Sequence, residues 1–227
     1  MEALPKPVLI IFALTTLFAI WQFYRASNNS KIFLSLVLPW IALISFLGIN
    51  DFYKEFQSTP PNFIFLIGPP LIFAIVFPFT NAGKKFIHGL SLSRLTILHV
   101  LRIPVEITLY YTASVKLIPM LMTFEGYNFD IISGISAPVI YYLVFVSQKS
   151  NYRLLLVWNF VCLGLLLNIL TIALLSAPTV FQQLAFELPN IGVAYFPLVW
   201  LPGIIVPIVF FSHIASIIQL TRGSLKK

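Results

Sequence analysis

The chain has 227 residues, 59% hydrophobic and only 9% charged. A soluble domain carries about 25% charged residues, so this chain lacks the polar surface to cover a water-soluble globule and reads as a polytopic membrane protein. Its formal net charge of +7 does not point to nucleic acid, because the basic residues fall in short turns between apolar stretches, where they face anionic lipid and set topology.

Apolar segments near the ~20 residues needed to span a bilayer follow one another at roughly 7–24, 32–50, 62–79, 94–116, 129–148, 153–177 and 194–220. The expectation is an all-α transmembrane bundle of seven spans, a single domain over residues 1–227. The first segment is read as a true span rather than a cleaved signal peptide. Its upstream residues Glu2 and Lys6 carry opposite charges, and no small-x-small cleavage site follows it. Asn28-Asn29-Ser30 matches a glycosylation sequon, but it lies in a turn assigned to the cytoplasm.

Loop charges set the direction. One side carries Arg25, Lys31, Lys84, Lys85, Arg94, Lys149, Arg153, Arg222, Lys226 and Lys227 with no acid. The other carries Lys6, Lys54 and Lys116 against Glu2, Asp51, Glu55, Glu125, Asp130 and Glu187. The positive-inside rule puts the amino terminus outside and the carboxyl terminus in the cytoplasm. The single cysteine, Cys162, excludes an intrachain disulfide.

Prolines recur inside the spans, and Gly68-Pro69-Pro70 and Leu201-Pro202-Gly203 are the expected breaks. Two connections are expected to be structured. Residues 117–129 are too apolar for a free loop and should fold back onto the bundle mouth. In 178–193, Phe181, Leu184, Ala185 and Leu188 recur at helical spacing, which predicts a short interfacial helix.

The fourth span carries His99, Arg102 and Glu106 at spacings of three and four, on one helix face. Charges at that depth are costly and are by default functional. At 1.5 Å per residue Glu106 is near the midplane, with Arg102 about 6 Å and His99 about 10 Å toward the cytoplasm. The same count puts His213 and Asn159 each about 9 Å inward on the seventh and sixth spans. These five are the candidate ligand-binding or proton-coupling residues. Arg102 and Glu106 are spaced for an intrahelical ion pair, the rival being a pair that only fixes packing. At the outer mouth Glu125, Asn128 and Asp130 form a second candidate group, with Asp130 also suited to capping the fifth span. His99 and His213 at matched depth are the minimum for a bis-histidine haem or a metal site, but no metal centre or cofactor is expected. No hydrolase, zincin or nucleotide-binding motif occurs, and no catalytic residue is assigned.

The segment from His99-Val-Leu-Arg-Ile-Pro-Val-Glu106 through Met122-Thr-Phe-Glu-Gly-Tyr-Asn-Phe-Asp130 resembles a set of uncharacterised bacterial integral membrane proteins of seven spans, and the stretch Trp200-Leu-Pro-Gly through His213 is similar to them too. The resemblance implies a bacterial inner (plasma) membrane protein and supplies no activity. The expectation is a binder, transporter or sensor of a small molecule or ion, not an enzyme, with the lipid bilayer as its surroundings. The alternatives are a structural or assembly subunit with a protein partner, and a membrane-embedded enzyme or redox protein.

Overall fold

The computed structural model describes residues 4–147 and 151–224, and side chains up to Thr221. The topology assignments resting on Glu2, Lys149, Lys226, Lys227 and the Arg222 side chain lie outside these, as does the predicted end of the fifth span. All regular structure among the described residues is helical.

Helix α1 (Lys6–Ala26) opens with a proline in its first turn, where the missing N–H costs nothing. It ends before Asn28 and Asn29, at φ 55° and 58°, a left-handed conformation that asparagine tolerates. The Ser30 hydroxyl then accepts the Phe33 N–H at 3.3 Å and starts α2 (Lys31–Ile49). After α3 (Ile64–Val76) and a 3₁₀ turn, Thr80 caps α4 (Asn81–His88) by accepting the Gly83 N–H at 2.9 Å. The axis bends by 86° there. Helix α5 (Leu92–Leu98) passes through a 3₁₀ turn, His99–Leu101, straight into α6 (Arg102–Ser114). Helix α7 (Ile131–Tyr141) closes on a π turn, Tyr142–Val146. Asn151 caps α8 (Tyr152–Leu175), its Oδ1 accepting the Leu154 N–H at 3.0 Å. A π turn over Leu201–Ile205 leads into α9 (Val206–Ser224).

Among the described residues, four segments are long and apolar enough to cross a membrane: α1, α2, α8 and Leu201–Thr221. The α3–α4 pair makes a fifth if it is counted as one bent span. The stretch 92–114 carries the charged residues, and the apolar helix Ile131–Val146 is shorter. Helix α9 is the axle of the bundle, with 78% of its most apolar window buried against 17% for peripheral α2. The outer surface is apolar, with Ile32 74% and Leu36 57% exposed, as a lipid-facing surface requires. Two indoles pin α2 to the start of α9: Trp40 Nε1 donates to Gly203 O at 2.9 Å and Trp200 Nε1 to Ser45 Oγ at 2.8 Å.

Two expectations from the sequence are corrected, and a third is met as a local irregularity. Helix α3 is continuous through Pro69 and Pro70, which a helix in an apolar bundle tolerates when neighbours re-satisfy the freed carbonyls, and the sharp bend falls at Thr80 instead. The second expected break, at Leu201-Pro202-Gly203, appears as a π turn. No helix forms over 181–188. There the Gln183 and Leu184 N–H groups both donate to Leu175 O at 2.9 Å, and Ala185 sits at φ 53°. The segment satisfies the carbonyl ends of α8 rather than its own backbone.

The connection 115–130 folds back on the bundle. Leu117 O accepts the N–H groups of Ile191 and Gly192, and Ile118 and Met122 are buried. Nearby, Lys54 pairs with Asp51 and lies 3.9 Å from the Tyr195 ring centroid.

Candidate functional site

Pro104 lacks an N–H, so the α-helical bond to Val100 cannot form, and the chain takes a 3₁₀ turn just before it. In a 3₁₀ turn residues three apart eclipse, which aligns His99 with Arg102. Glu106 follows four residues later on the same face of α6. All three are buried, at 0%, 2% and 2% exposure.

Helix α7 comes unusually close to this face because Gly134 has no side chain. A Cβ there would meet Ile103 Cγ1 at 2.9 Å and Ile103 N at 3.1 Å. The contact sets Asp130 and Ser133 beside Arg102. Arg102 Nη1 forms an ion pair with Asp130 Oδ1. Ser133 Oγ donates to the same Asp130 oxygen at 3.3 Å and lies 3.5 Å from Arg102 Nη1. Asp130 therefore does not cap α7, and its side chain makes no cap hydrogen bond. Arg102–Glu106 is not an ion pair either; among the described residues the guanidinium's carboxylate is Asp130.

Arg102 Nη2 lies 3.1 Å from His213 Nε2, and His213 Nδ1 lies 2.9 Å from Asn159 Oδ1. Arginine only donates and an amide oxygen only accepts. His213 is thus a neutral imidazole that donates from Nδ1 and accepts at Nε2. Asn159 Nδ2 donates to Leu155 O at 2.9 Å, which fixes its amide orientation. The His99 ring stacks on His213 with centroids 4.0 Å apart and planes 13° apart. Trp158 meets His99 edge-on at 5.4 Å, its own Nε1 held by Ser136 Oγ at 2.8 Å. Among the described residues both His99 ring nitrogens lack a hydrogen-bond partner.

Glu106 is held separately. Asn128 Nδ2 lies 2.7 and 2.8 Å from its two carboxylate oxygens and donates also to Met122 O at 3.0 Å. The Asp130 N–H donates to Asn128 Oδ1 at 3.1 Å, so the amide cannot turn over. With one of its two protons on Met122 O, Asn128 offers the carboxylate a single N–H. Glu106, Arg102, Asp130 and Asn190 line a cavity of about 70 Å³ whose remaining wall is mostly aliphatic. Asn190 is fully buried, and its Oδ1 has no partner among the described residues.

The structure thus brings His99, Arg102, Asn159 and His213 into one cluster, with Glu106 and Asn128 beside it. Of the three outer-mouth candidates, Asn128 and Asp130 are buried in this network, while Glu125 is exposed. Sequence reasoning missed Asn190. Between Pro189 and Gly192 it looks like an ordinary turn residue, and no sequence signal marks it. Both His213 nitrogens are engaged, and parallel rings 4.0 Å apart leave no room for an ion between them. Among the described residues no group of three His, Cys, Asp or Glu side chains is placed to hold a metal.

Residues 60–221 match the model of a family described as a domain of unknown function, DUF8737, and the chain belongs to that family. Every residue of the site lies inside the matched stretch. No curated protein and no solved structure matches the chain.

Proposed function

We propose that this protein binds a small cation, a proton or a monovalent metal ion, at Glu106, and acts in transport or sensing. The observation that carries the reading is a buried carboxylate facing a cavity with one N–H donor and no cationic side chain of its own. An uncompensated buried carboxylate is costly. The local charge supports the same reading, since the Arg102 guanidinium stands against two carboxylates, Glu106 and Asp130, and the imidazole of His213 is neutral. Asn190 Oδ1 adds a free acceptor in the cavity wall. The cavity of about 70 Å³ suits an ion with few waters rather than a large organic ligand.

In this reading the chain crosses a bacterial inner (plasma) membrane seven times, with α5–α6 and α7 as the spans that carry the site. The amino terminus is outside and the carboxyl terminus cytoplasmic. No haem or metal is assigned to His99 and His213, since both nitrogens of His213 are engaged by Arg102 and Asn159.

The test is ligand-linked stability of the purified chain. Lowering pH or adding sodium or potassium ions should raise its thermal midpoint, and Glu106→Gln should flatten that response. Wild-type stability indifferent to all three cations, or a Glu106→Gln variant that responds as wild type does, would refute the proposal. A second reading, as a structural subunit, is favoured by one observation. Arg102, Asp130, Ser133, His213 and Asn159 bond to one another across α6, α7, α8 and α9 without a ligand, leaving only the Arg102 Nε among the guanidinium nitrogens without a partner among the described residues. A stoichiometric protein partner on purification would favour it.

A further inference from the structure

On the far side of α9 from the charged cluster, α1, α2, α3 and α4 enclose a second recess, of about 320 Å³, against the start of α9. That volume lies at the low end of the about 300–1,000 Å³ typical of small-molecule sites. Its lining is almost wholly apolar, with Trp40, Pro69, Pro70 and Gly203 at one end. The other end is a cluster of phenylalanines. Phe23 meets Phe33 at 4.7 Å and Phe211 at 5.9 Å, and Phe86 meets Phe77 at 5.9 Å and Phe211 at 6.3 Å. The side wall is open, since Ile32, Leu36 and Phe73 line the recess and are each at least half exposed.

The phenylalanine cluster gathers the end of α1, the start of α2 and the whole of α4 at one place. Each of those segments brings basic residues. Arg25 follows Phe23 by two positions, Lys31 precedes Ile32, and Lys84 and Lys85 precede Phe86. None is buried, and among the described residues the acids take their ion pairs elsewhere, with Lys54 and Arg102. No Asp or Glu occurs between Glu2 and Asp51 or between Glu55 and Glu106, so no acid from these elements offsets them. The 86° bend turns α4 across the direction of α3, and Phe86 of α4 lines this end of the recess, one and two positions after Lys85 and Lys84.

An open-sided apolar slot with unpaired cations at one end matches an amphiphile whose head is anionic and whose tail is hydrocarbon. We propose that the recess between α2, α3 and α9 is a selective site for one anionic phospholipid, its acyl chain along Trp40 and the phenylalanines and its phosphate at Lys31, Lys84 and Lys85. The proposal is independent of the Glu106 site.

Trp40 supplies the readout. The full chain would be reconstituted in phosphatidylcholine vesicles containing a small fraction of brominated phosphatidylglycerol or, separately, brominated phosphatidylcholine. The Trp40 signal is taken as the difference between wild type and Trp40→Phe. The expected result is quenching that saturates at a low fraction of the brominated anionic lipid, with about tenfold or greater preference over the zwitterionic one. The triple change Lys31→Ala, Lys84→Ala and Lys85→Ala should remove most of that preference while quenching by the zwitterionic lipid persists. Lys116→Ala, on the outer connection, should leave the preference intact. Equal quenching by the two lipids would overturn the proposal, leaving a slot filled by bulk lipid. An unchanged preference in the triple variant would overturn it too.

Discussion

The Asn128 amide nitrogen sits within hydrogen-bonding distance of both carboxylate oxygens of Glu106, at 2.7 and 2.8 Å, and both residues are buried. This pair joins the connection before α7 to the face of α6. Replacing Asn128 by leucine strips Glu106 of its donor and should cost about 1–3 kcal/mol of stability. Adding Glu106→Leu to Asn128→Leu should recover part of the loss, because the carboxylate is then no longer stranded, while Met122 O and the Asp130 N–H still lack their Asn128 partner. Denaturant melts of the two variants measure the difference, and a double variant no better than the single would count against it.

The Arg102–Asp130 pair should behave as a unit. Asp130→Asn or Arg102→Met alone leaves a buried charge unmatched and should destabilise by about 3–5 kcal/mol. Replacing both by apolar residues should cost clearly less than the sum. A double-mutant cycle on thermal or denaturant unfolding reads the coupling, and strictly additive losses would show that the two side chains do not depend on each other.

Two glycines in neighbouring helices give a matched comparison. A Cβ at Gly134 runs into Ile103, whereas one at Gly164 meets nothing within 4 Å. Gly134→Ala should lose about 1–3 kcal/mol by pushing α7 away from α6. Gly164→Ala should be neutral or mildly stabilising through its better helix propensity. Equal effects at the two positions would remove the close-approach argument.

His213 should hold its proton on Nδ1, facing Asn159. Nitrogen-15 spectra of histidine-labelled protein should show that tautomer, and Asn159→Leu should abolish the preference. A proton resident on Nε2 in the wild type would contradict the geometry, since Arg102 has none of the lone pairs needed to accept it.

Alkaline stability should depend on Tyr53, in the connection between α2 and α3. Burial raises its phenol from 10.0 to about 12. The folded chain therefore holds this proton more tightly than the unfolded one. The stabilisation is complete below pH 10 and is lost as pH climbs toward about 12. Thermal midpoints of wild type and Tyr53→Phe should run parallel up to about pH 10 and diverge above it, the wild type falling faster. Parallel curves throughout would refute this.

Much of the helical framework is written openly in the sequence. In lipid only a helix satisfies a long apolar run of backbone, so the apolar stretches over α1, α2 and α8 admit little else. The connection at 181–188 carries the same helical spacing of Phe181, Leu184 and Leu188 without being a helix. Its path is set by where the free carbonyls of α8 happen to lie, which no local pattern encodes. The polar cluster divides in the same way. His99, Arg102 and Glu106 stand out because charge is so scarce around them, and counting helical rise sets His213 and Asn159 at a similar level. Their partners do not stand out. A spacing of four pairs Arg102 with Glu106 on paper, but Gly134 lets α7 so close that Asp130 reaches the guanidinium and leaves Glu106 to Asn128. That outcome depends on the absence of a side chain on another helix.

The order of these residues along the chain has a consequence for biogenesis. Arg102 and its immediate neighbour Ser133 are 31 residues apart, within the hairpin formed by α6 and α7 that also holds Asp130, whereas His213 lies 111 residues beyond Arg102. During translation the guanidinium therefore meets its counter-charge inside a single helical hairpin, well before α9 leaves the ribosome. The last helix to arrive brings a neutral ring to a charge that is already matched, so the nascent bundle does not have to hold a bare cation while it waits for its axle.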